Sequence, residues 1–479
     1  MKRNRFFSLL LQIPEDTRIE FDQYIRYPLF NKSQALLKLW ELVFQKFPNP
    51  PDKEKLFAQL YPGEIYRPLR LNNLLSDLLA LLYEFLAIHH LRAQEDEKWK
   101  QVGLYLADQK ISDHQGHLQK KRSQRHHRNQ QRDASYYLQT MEMAARADQL
   151  NIQKGDRQYG EELQKQNDAL DHYFFYEKLR IATDMMSRQA VINASYVPTH
   201  LPYLETYFET NPSILEKHPS IEVYFQAIKM FQAPDDLQQY QSLKQLVVRH
   251  RNLFPEGEQR TLNSYLLNYG VRKVNSGQSD FYGEILSLYQ NLIQQDLLLQ
   301  QGQLSQWTYI NVVTAGLRLQ DYSWTEQFIH QYKSYLDINI QENVYTYNLA
   351  SLFMEKGTHG AALQLLQSVS FTDAFYNMAA KIMQLKIFFL DDEVDAFHSL
   401  ILASIRFLDR NRQLSAYQKK SNQNFIKVCK QLFDLKQKRT YWSAPKAAQK
   451  WDGIHQKIET LQPLGNRNWL KTALQEMKR

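Results

Sequence analysis

The sequence predicts an all-α protein built from helical hairpins. Its 479 residues include only 15 glycines and 15 prolines, below the usual shares of about 7% and 5%. Because these residues form most tight turns and interrupt helices, their scarcity favours long helices over strands. Residues 305–389 also repeat themselves, since Ala315 and Ala350 are 35 residues apart, and so are Trp324 and His359. We therefore expect two successive hairpins in one register.

The second copy of this repeat, NLASLFMEKGTHGAALQLL, carries the clearer pattern. Its small residues would let the two helices of a hairpin touch, and its larger apolar residues would fill the gaps. Pattern and period resemble the tetratricopeptide repeat, whose period is about 34 residues. The resemblance implies a right-handed α-solenoid of hairpins in which Ala350 and Ala362 face each other, and in style the chain resembles uncharacterised bacterial helical-repeat proteins. The residues that carry it are Leu349, Ala350, Phe353, Gly357, His359, Ala362 and Leu366.

Four segments follow one another along the chain. Residues 1–93 are predicted to form an N-terminal helical block whose fourth helix has a continuous leucine face. Residues 94–190 contain no proline and are predicted to form a long helical hairpin with a basic polar middle. Residues 191–410 carry prolines near helix ends and amphipathic stretches of about 12 to 20 residues, typical of tetratricopeptide-like repeats. Residues 411–479 are predicted to form basic C-terminal helices. The leucine face consists of Leu71, Leu74, Leu75, Leu78, Leu79, Leu82 and Leu86.

Cysteine content and hydropathy predict a cytoplasmic protein. Cys429 is the single cysteine, so no internal disulfide can form, which fits a reducing compartment. Its apolar surroundings favour a buried core thiol over a nucleophile. The stretch from Met1 to Asp16 imitates a signal peptide, but its apolar core is too short and no small-residue cleavage site follows. The longest apolar stretch, residues 74–88, contains Asp77 and Glu84, which predicts a core helix and no membrane partner.

The net charge of +8 is concentrated in two segments. Residues 114–132 contain six lysines and arginines and no acid, and residues 411–440 contain eight against one acid, Asp434. Because Leu118 is the only large apolar residue of the first segment, we expect its helix to project into solvent or to fray. Four of its cations, at i, i+4, i+7 and i+11, would line one side of that helix: Lys121, Arg125, Arg128 and Arg132. In the second segment the candidate binding cations are Lys427, Lys430 and Lys438.

Two interpretations of these basic segments remain open. The cations could follow the phosphates of a nucleic acid, which would make the affinity dependent on salt. Alternatively, they keep a solvated helix soluble. No aromatic residue lies between the cations of the first segment to stack on bases, as single-strand binders usually require.

No motif indicates catalysis. The sequence lacks a glycine-rich phosphate loop, a GxSxG elbow, an HExxH pair and a CxxC motif, so we expect a protein that is not an enzyme and has no cofactor. A histidine cluster at His114, His117, His126 and His127 invites a metal interpretation. No cysteine or pair of carboxylates stands beside it in the sequence to complete a tetrahedral set, so no metal site is predicted.

The tetratricopeptide resemblance implies a groove, lined by the first helix of each hairpin, that binds an extended peptide or a partner helix. This face is apolar and aromatic, and we expect it to lack the Lys and Arg with which some members of the family bind a terminal carboxylate. Alternatively, the same residues pack against neighbouring repeats. Two functions follow: a non-enzymatic scaffold or adaptor that binds a protein partner, or a nucleic-acid- or ribosome-associated factor that uses the basic segments. The groove residues would be Tyr309, Val312, Leu319, Tyr347, Ser351 and Met354.

Overall fold

The structure is a computed structural model, and it describes residues 4–49, 52–153, 160–191, 195–368, 374–438 and 441–477. In these residues it contains 24 α-helices and no β-strand, so the predicted all-α class is confirmed. Residues 1–3 of the signal-like stretch lie outside the described residues, as do Arg439 and Thr440 of the second basic segment.

The chain divides into two compact units. The first consists of Met1–Gln130 with Ala134–Tyr173, and the second of Gln131–Asp133 with Phe174–Arg479. The division at Tyr173 falls inside a helix. The boundaries of the four segments proposed from the sequence remain a prediction.

The helices up to this division are short near the N-terminus and longer afterwards. They are α1 Arg5–Leu10, α2 Glu15–Arg26, α3 Gln34–Phe44, α4 Lys53–Leu60, α5 Pro68–Ala93, α6 Glu95–Asp108, α7 Ser112–Arg128, α8 Ala134–Gln153 and α9 Glu162–Val191.

The remaining helices alternate with short connections, two of which are the 3₁₀ turns Arg251–Leu253 and Lys333–Tyr335. They are α10 Leu201–Thr210, α11 Pro212–Lys217, α12 Pro219–Gln232, α13 Leu237–Arg249, α14 Glu256–Asn275, α15 Phe281–Gln294, α16 Gln306–Arg318, α17 Tyr322–Gln331, α18 Gln341–Glu355, α19 His359–Ser368, α20 Ala374–Leu390, α21 Val394–Arg410, α22 Ala416–Lys438, α23 Ala444–Thr460 and α24 Arg467–Glu476.

Helices α1 to α5 enclose one hydrophobic core in the first unit. The predicted leucine face of α5 supplies much of it, because Leu71, Leu75, Leu78 and Leu82 are buried and the other three leucines pack around them. By length and composition alone, α5 is also apolar enough to cross a membrane. Its contacts with α1, α2, α3 and α4 favour the core helix that the sequence predicts.

The basic helix α7 does not project into solvent as expected. It contacts α6 and α8, and it buries Gln115, Leu118 and His126. Amide side chains make this possible, since Gln115 donates to the carbonyl of Leu106 (2.8 Å) and Gln119 to that of Met143 (2.7 Å). A search for apolar periodicity misses such a face because its members are polar.

The predicted long hairpin over 94–190 is likewise interrupted. Where one pair of helices was expected, α6 turns into α7 at Lys110, which has a positive φ of 57°, and α7 ends at Arg128. The described residues therefore form the four shorter helices α6 to α9.

In the second unit, consecutive helices pair: α12 with α13, α14 with α15, α16 with α17, α18 with α19, and α20 with α21. Four of these pairs share one turn, in which a backbone N–H donates to the carbonyl five residues earlier and the residue before the donor has a positive φ. This is the Schellman helix ending. The four bonds run from Gln278 to Lys273 (3.0 Å), from Asp321 to Gly316 (3.0 Å), from Thr358 to Phe353 (2.9 Å) and from Glu393 to Phe388 (3.0 Å).

The turns after α16 and α18 change the spacing that the sequence predicts between the two hairpins. The starts of α16 and α18 are 35 residues apart, but α16 has 13 residues and α18 has 15. The turns at Asp321 and Thr358 are consequently 37 residues apart. Trp324 and His359 are therefore not equivalent, since one is the third residue of α17 and the other is the first of α19.

The fourth residue of the second helix is fully buried in the last three of these pairs: Thr325 in α17, Ala362 in α19 and Phe397 in α21. We expect Ala362→Leu to lower the free energy of unfolding by about 1–3 kcal/mol, because the added volume must displace a packed neighbour. Chemical denaturation followed by circular dichroism measures this change. The control is the same substitution at the partly exposed neighbour Ala361, where we expect a change within about 0.5 kcal/mol. Equal losses in the two variants would contradict the packing at Ala362.

Candidate functional site

Helices α16, α18 and α20 lie side by side, because α16 contacts α18 and α18 contacts α20. At one end of this set, Trp307 of α16 contacts Phe375 of α20, with ring centroids 5.5 Å apart. Beside them, Tyr347 of α18 packs edge-on against Tyr376 (5.6 Å). Trp307 is 55% exposed and Phe375 is 37% exposed. The three helices thus present an accessible aromatic pair, here named the aromatic end.

A charged end lies three helical turns further along the same helices. Arg318 follows Trp307 at i+11, and Lys386 follows Phe375 at the same interval, a spacing that returns to nearly the same side of a helix. Arg318 pairs with Glu355 of α18 (3.6 Å). We name the surface lined by Trp307, Arg318, Tyr347, Glu355, Phe375 and Lys386 the first-helix face.

Lys386 is the most perturbed cation of this face. Its ammonium donates to Asn466 Oδ1 (2.6 Å) and lies 5.5 Å from the ring centroid of Trp469. Burial, reinforced by the nearby positive charge of Arg318, lowers the pKa of Lys386 to about 8. Burial raises the pKa of the neighbouring Cys429 thiol to about 12, which fits the predicted core thiol.

The groove residues predicted from the sequence have different environments. Tyr309 and Val312 are fully buried, and the Tyr309 hydroxyl donates to the carbonyl of Ile329 in α17 (2.7 Å). These two residues belong to the packing of the hairpin and are not accessible to a partner. Leu319 is exposed, while Tyr347, Ser351 and Met354 are partly buried. For those four, partner binding stays a prediction.

Sequence reasoning missed the residues that make this face distinctive. Arg318 and Lys386 were not among the predicted groove residues, although both lie on this face. The i, i+11 spacing from Trp307 to Arg318 could have revealed one half of the pattern. The contact of Trp307 with Phe375 joins two helices that are far apart in the chain, so it could not be read from the sequence.

Of the four cations predicted to line one side of a helix in segment 114–132, Lys121, Arg125 and Arg128 lie on α7 and Arg132 does not. Arg125 is paired with Glu95 (2.6 Å) and Asp96 (3.1 Å) of α6. Lys121 lies 4.3 Å from the ring centroid of Trp99. Arg128 is exposed at the end of α7, whereas Arg132 lies beyond that helix and belongs to the second unit. Neighbouring acids and a connection after α7, neither visible in the segment itself, explain the difference.

The second basic segment is more open. Lys427, Lys430 and Lys438 of α22 are exposed as expected. The neighbouring helix α23 adds three exposed lysines at i, i+4 and i+11, and one of them, Lys457, donates to Gln431 Oε1 of α22 (3.0 Å). Within the described ranges none of the six pairs with a carboxylate. We name this set the lysine surface: Lys427, Lys430, Lys438, Lys446, Lys450 and Lys457.

The histidine cluster of α7 is dispersed by its surroundings. The His126 ring stacks on Tyr136, with centroids 4.3 Å apart, and bonds to Thr140 Oγ1 (2.7 Å). In the part of the chain that the structure describes, no group of three or more His, Cys, Asp or Glu side chains is placed to hold a metal ion.

At the level of architecture, the chain is an all-helical protein of two compact units. Comparison with known proteins finds no matching family model, no matching curated protein and no matching solved structure.

The perturbed Lys386 makes a testable contribution to the pH dependence of stability. The pKa of Lys386 is lowered in the folded state, so the unfolded chain binds more protons at pH values between about 8 and the ordinary pKa of lysine. The free energy of unfolding should therefore rise with pH across that window. Lys386→Met should remove this part of the rise. Denaturation midpoints at pH values of about 7.5 to 10 measure it. The same change at exposed Lys430 is the control and should preserve the rise; a Lys386→Met profile that retains the full rise would contradict the assignment.

Proposed function

We propose that the protein is a non-enzymatic cytoplasmic scaffold or adaptor that binds a protein partner on the first-helix face. In this proposal, helices α16 to α21 form a tetratricopeptide-like α-solenoid. In these three pairs a Schellman turn is followed by a second helix whose fourth residue is fully buried, and this combination supports a repeated unit. The contacts of α16 with α18 and of α18 with α20 support the stacking of its first helices.

The observation that carries the binding proposal is the exposed contact between Trp307 and Phe375. Aromatic anchors of this kind supply most of the binding energy at protein interfaces, because they bury a large area on association. Arg318 and Lys386 at the charged end outnumber the single carboxylate of Glu355. The face therefore suits a segment with an apolar or aromatic side chain at one end and an acidic side chain at the other.

The distance between the two ends indicates the length of that segment. The i to i+11 interval along a helix spans about 16 Å, and an extended chain covers about 3.3 Å per residue. A stretch of roughly five extended residues would therefore reach from the aromatic pair to the cations.

The experiment is an affinity pull-down with the full chain from native lysate, with and without nuclease, followed by quantitative mass spectrometry. The variant Trp307→Ala tests the aromatic end, and the matched control is Tyr417→Ala, an aromatic residue that is 71% exposed on α22. We expect a protein that survives nuclease and falls at least about tenfold in Trp307→Ala but not in Tyr417→Ala. Retention of every such protein by Trp307→Ala would overturn the proposal.

A second candidate function is binding of a nucleic acid or ribosomal RNA through the lysine surface. Its support is the absence of carboxylate partners at these six lysines within the described ranges, because an uncompensated basic surface releases counterions when it meets phosphates. The test is binding of a labelled single-stranded RNA 20-mer as a function of salt. Reversal of Lys427 and Lys430 to Glu should reduce the slope of log K against log salt by about 1.4.

The control reverses Lys32 and Lys46, two exposed lysines of the first unit, to Glu, which changes the net charge equally. A similar loss of slope in the control would show that total charge, and not the lysine surface, attracts RNA. Failure of the native chain to bind RNA at low salt would remove this candidate.

A further inference from the structure

A small cavity lies between α6, α7 and α8 in the first unit, with a volume of about 270 Å³. Most of the exposed wall is apolar, and Leu104, Leu118 and Ala145 contribute to it, but seven of the eleven lining residues have polar or charged side chains. The polar residues that matter are Lys100, Gln115, Gln119, Arg122, Glu142 and Arg146.

Two of the three cations in this lining already have protein partners. Lys100 pairs with Glu142 (2.8 Å). Arg146 donates to the carbonyl of Gly103 (3.1 Å), to Gln115 Oε1 (3.2 Å) and to Gln149 Oε1 (3.0 Å). These bonds join α6, α7 and α8 and hold the Arg146 guanidinium at the cavity wall.

Arg122 differs from both. It is partly buried at the cavity, and in the described residues its guanidinium has no hydrogen bond or ion pair, so its donors are available to a ligand. The carboxylates of Glu142, Asp96 and Glu97 attract Arg122 only through space and raise its pKa. Burial has the larger effect, so the net result is a lowered pKa of Arg122. A partly buried guanidinium without a partner is unfavourable, and an anion would relieve that cost.

The charge balance indicates which anion fits. Three cations and one carboxylate line the cavity, for a net charge of +2. A phosphate monoester carries about −1.5 to −2 near neutral pH, whereas a carboxylate carries only one charge. Arginine donors also match the oxygens of a phosphate in pairs.

We propose that this cavity binds the phosphate group of a small phosphorylated molecule, with Arg122 as its principal ligand and Arg146 as the preorganised second cation. The volume of about 270 Å³ is slightly below the usual range of ligand pockets, so it suits only a small phosphate ester of a few carbon atoms. The amides of Gln115 and Gln119 border the space that the organic part would occupy. This site is independent of the first-helix face and of the lysine surface, both of which belong to the second unit.

The test is isothermal titration of the full chain with sn-glycerol 3-phosphate, with glycerol and acetate as ligands that lack the dianion. We expect saturable binding of sn-glycerol 3-phosphate, competition by inorganic phosphate, and no binding of glycerol. Arg122→Gln should raise Kd at least about tenfold. Because Arg122 has no structural partner within the described residues, this variant should keep the native melting curve.

Two further variants make the outcome decisive. Lys121→Gln removes an equal charge from the adjacent position, outside the cavity lining, and should change Kd less than about twofold. Glu142→Gln raises the net charge of the lining to +3 and should lower Kd. The proposal is wrong if the native chain shows no binding up to about 10 mM ligand, or if Lys121→Gln and Arg122→Gln weaken binding equally.

Discussion

Replacement of Trp40 by alanine should lower the free energy of unfolding of the first unit by about 3–5 kcal/mol, the largest loss expected from any single change proposed for this protein. Trp40 of α3 is fully buried. Its ring lies 4.8 Å from that of Phe21 and 5.0 Å from that of Phe44, measured between centroids. Its indole N–H donates to Asp22 Oδ1 (2.9 Å). The truncation would therefore open a cavity and remove one donor from a carboxylate that Arg26 also binds.

Trp40→Phe separates the two contributions. It keeps most of the buried area and removes the bond to Asp22, so we expect a smaller loss of about 1–2 kcal/mol. Trp307→Ala is the matched control, because that tryptophan is 55% exposed, and its truncation should cost less than about 1 kcal/mol. Urea denaturation of the full chain, with hydrogen exchange to assign the transition to α1 to α5, measures all three. Equal losses for Trp40→Ala and Trp307→Ala would contradict the burial of Trp40.

Substitution of Gly316 by alanine should destabilise the second unit by about 1–3 kcal/mol, even though alanine is the better helix former by about 1 kcal/mol. A Cβ atom at position 316 would overlap the Thr325 hydroxyl and lie 3.3 Å from the Thr325 Cβ. Thr325 cannot move away easily, because it is fully buried and its hydroxyl donates to the carbonyl of Asp321 (2.6 Å). The substitution therefore tests the closest approach of α16 to α17.

A double-mutant cycle tests the same contact from both sides. Thr325→Ala removes the hydroxyl that blocks position 316, so Gly316→Ala should be much less costly in that background, with a coupling of at least about 1 kcal/mol. Gly360→Ala in α19 is the control, since no atom lies within 4 Å of its added Cβ, and it should stabilise the helix by about 0.5–1 kcal/mol. Additive effects of the two changes, or equal behaviour of Gly316→Ala and Gly360→Ala, would contradict the proposed clash.

Several features of the fold could be predicted from the sequence because they depend on local pattern. The leucines of α5 recur at helical spacing, and four of them form part of the core. Cys429 stands in an apolar run and is buried. The similar starts of α16 and α18 follow from the recurrence between Ala315 and Ala350, but the greater length of α18 was invisible to that spacing.

The candidate site was less predictable, for two physical reasons. Helical periodicity gives the apolar side of a helix but not its neighbour, so Tyr309 and Val312 were placed in a groove although both are buried and Tyr309 bonds to α17. Polar side chains can also bury through bonds to the backbone, as Gln115 and Gln119 do in α7. Composition assigned those residues to solvent.

The sequence by itself determined the helical class, the apolar sides of many helices and the location of the basic segments, because each depends on residues within a few turns of one another. Only the tertiary structure decided which charges are compensated and which side chains meet. Arg125 of α7 is neutralised by Glu95 and Asp96 at the start of α6, whereas Lys427 and Lys430 are not paired with carboxylates in the described part of the chain. Such pairings depend on how separate helices pack together, which periodicity within one helix does not encode.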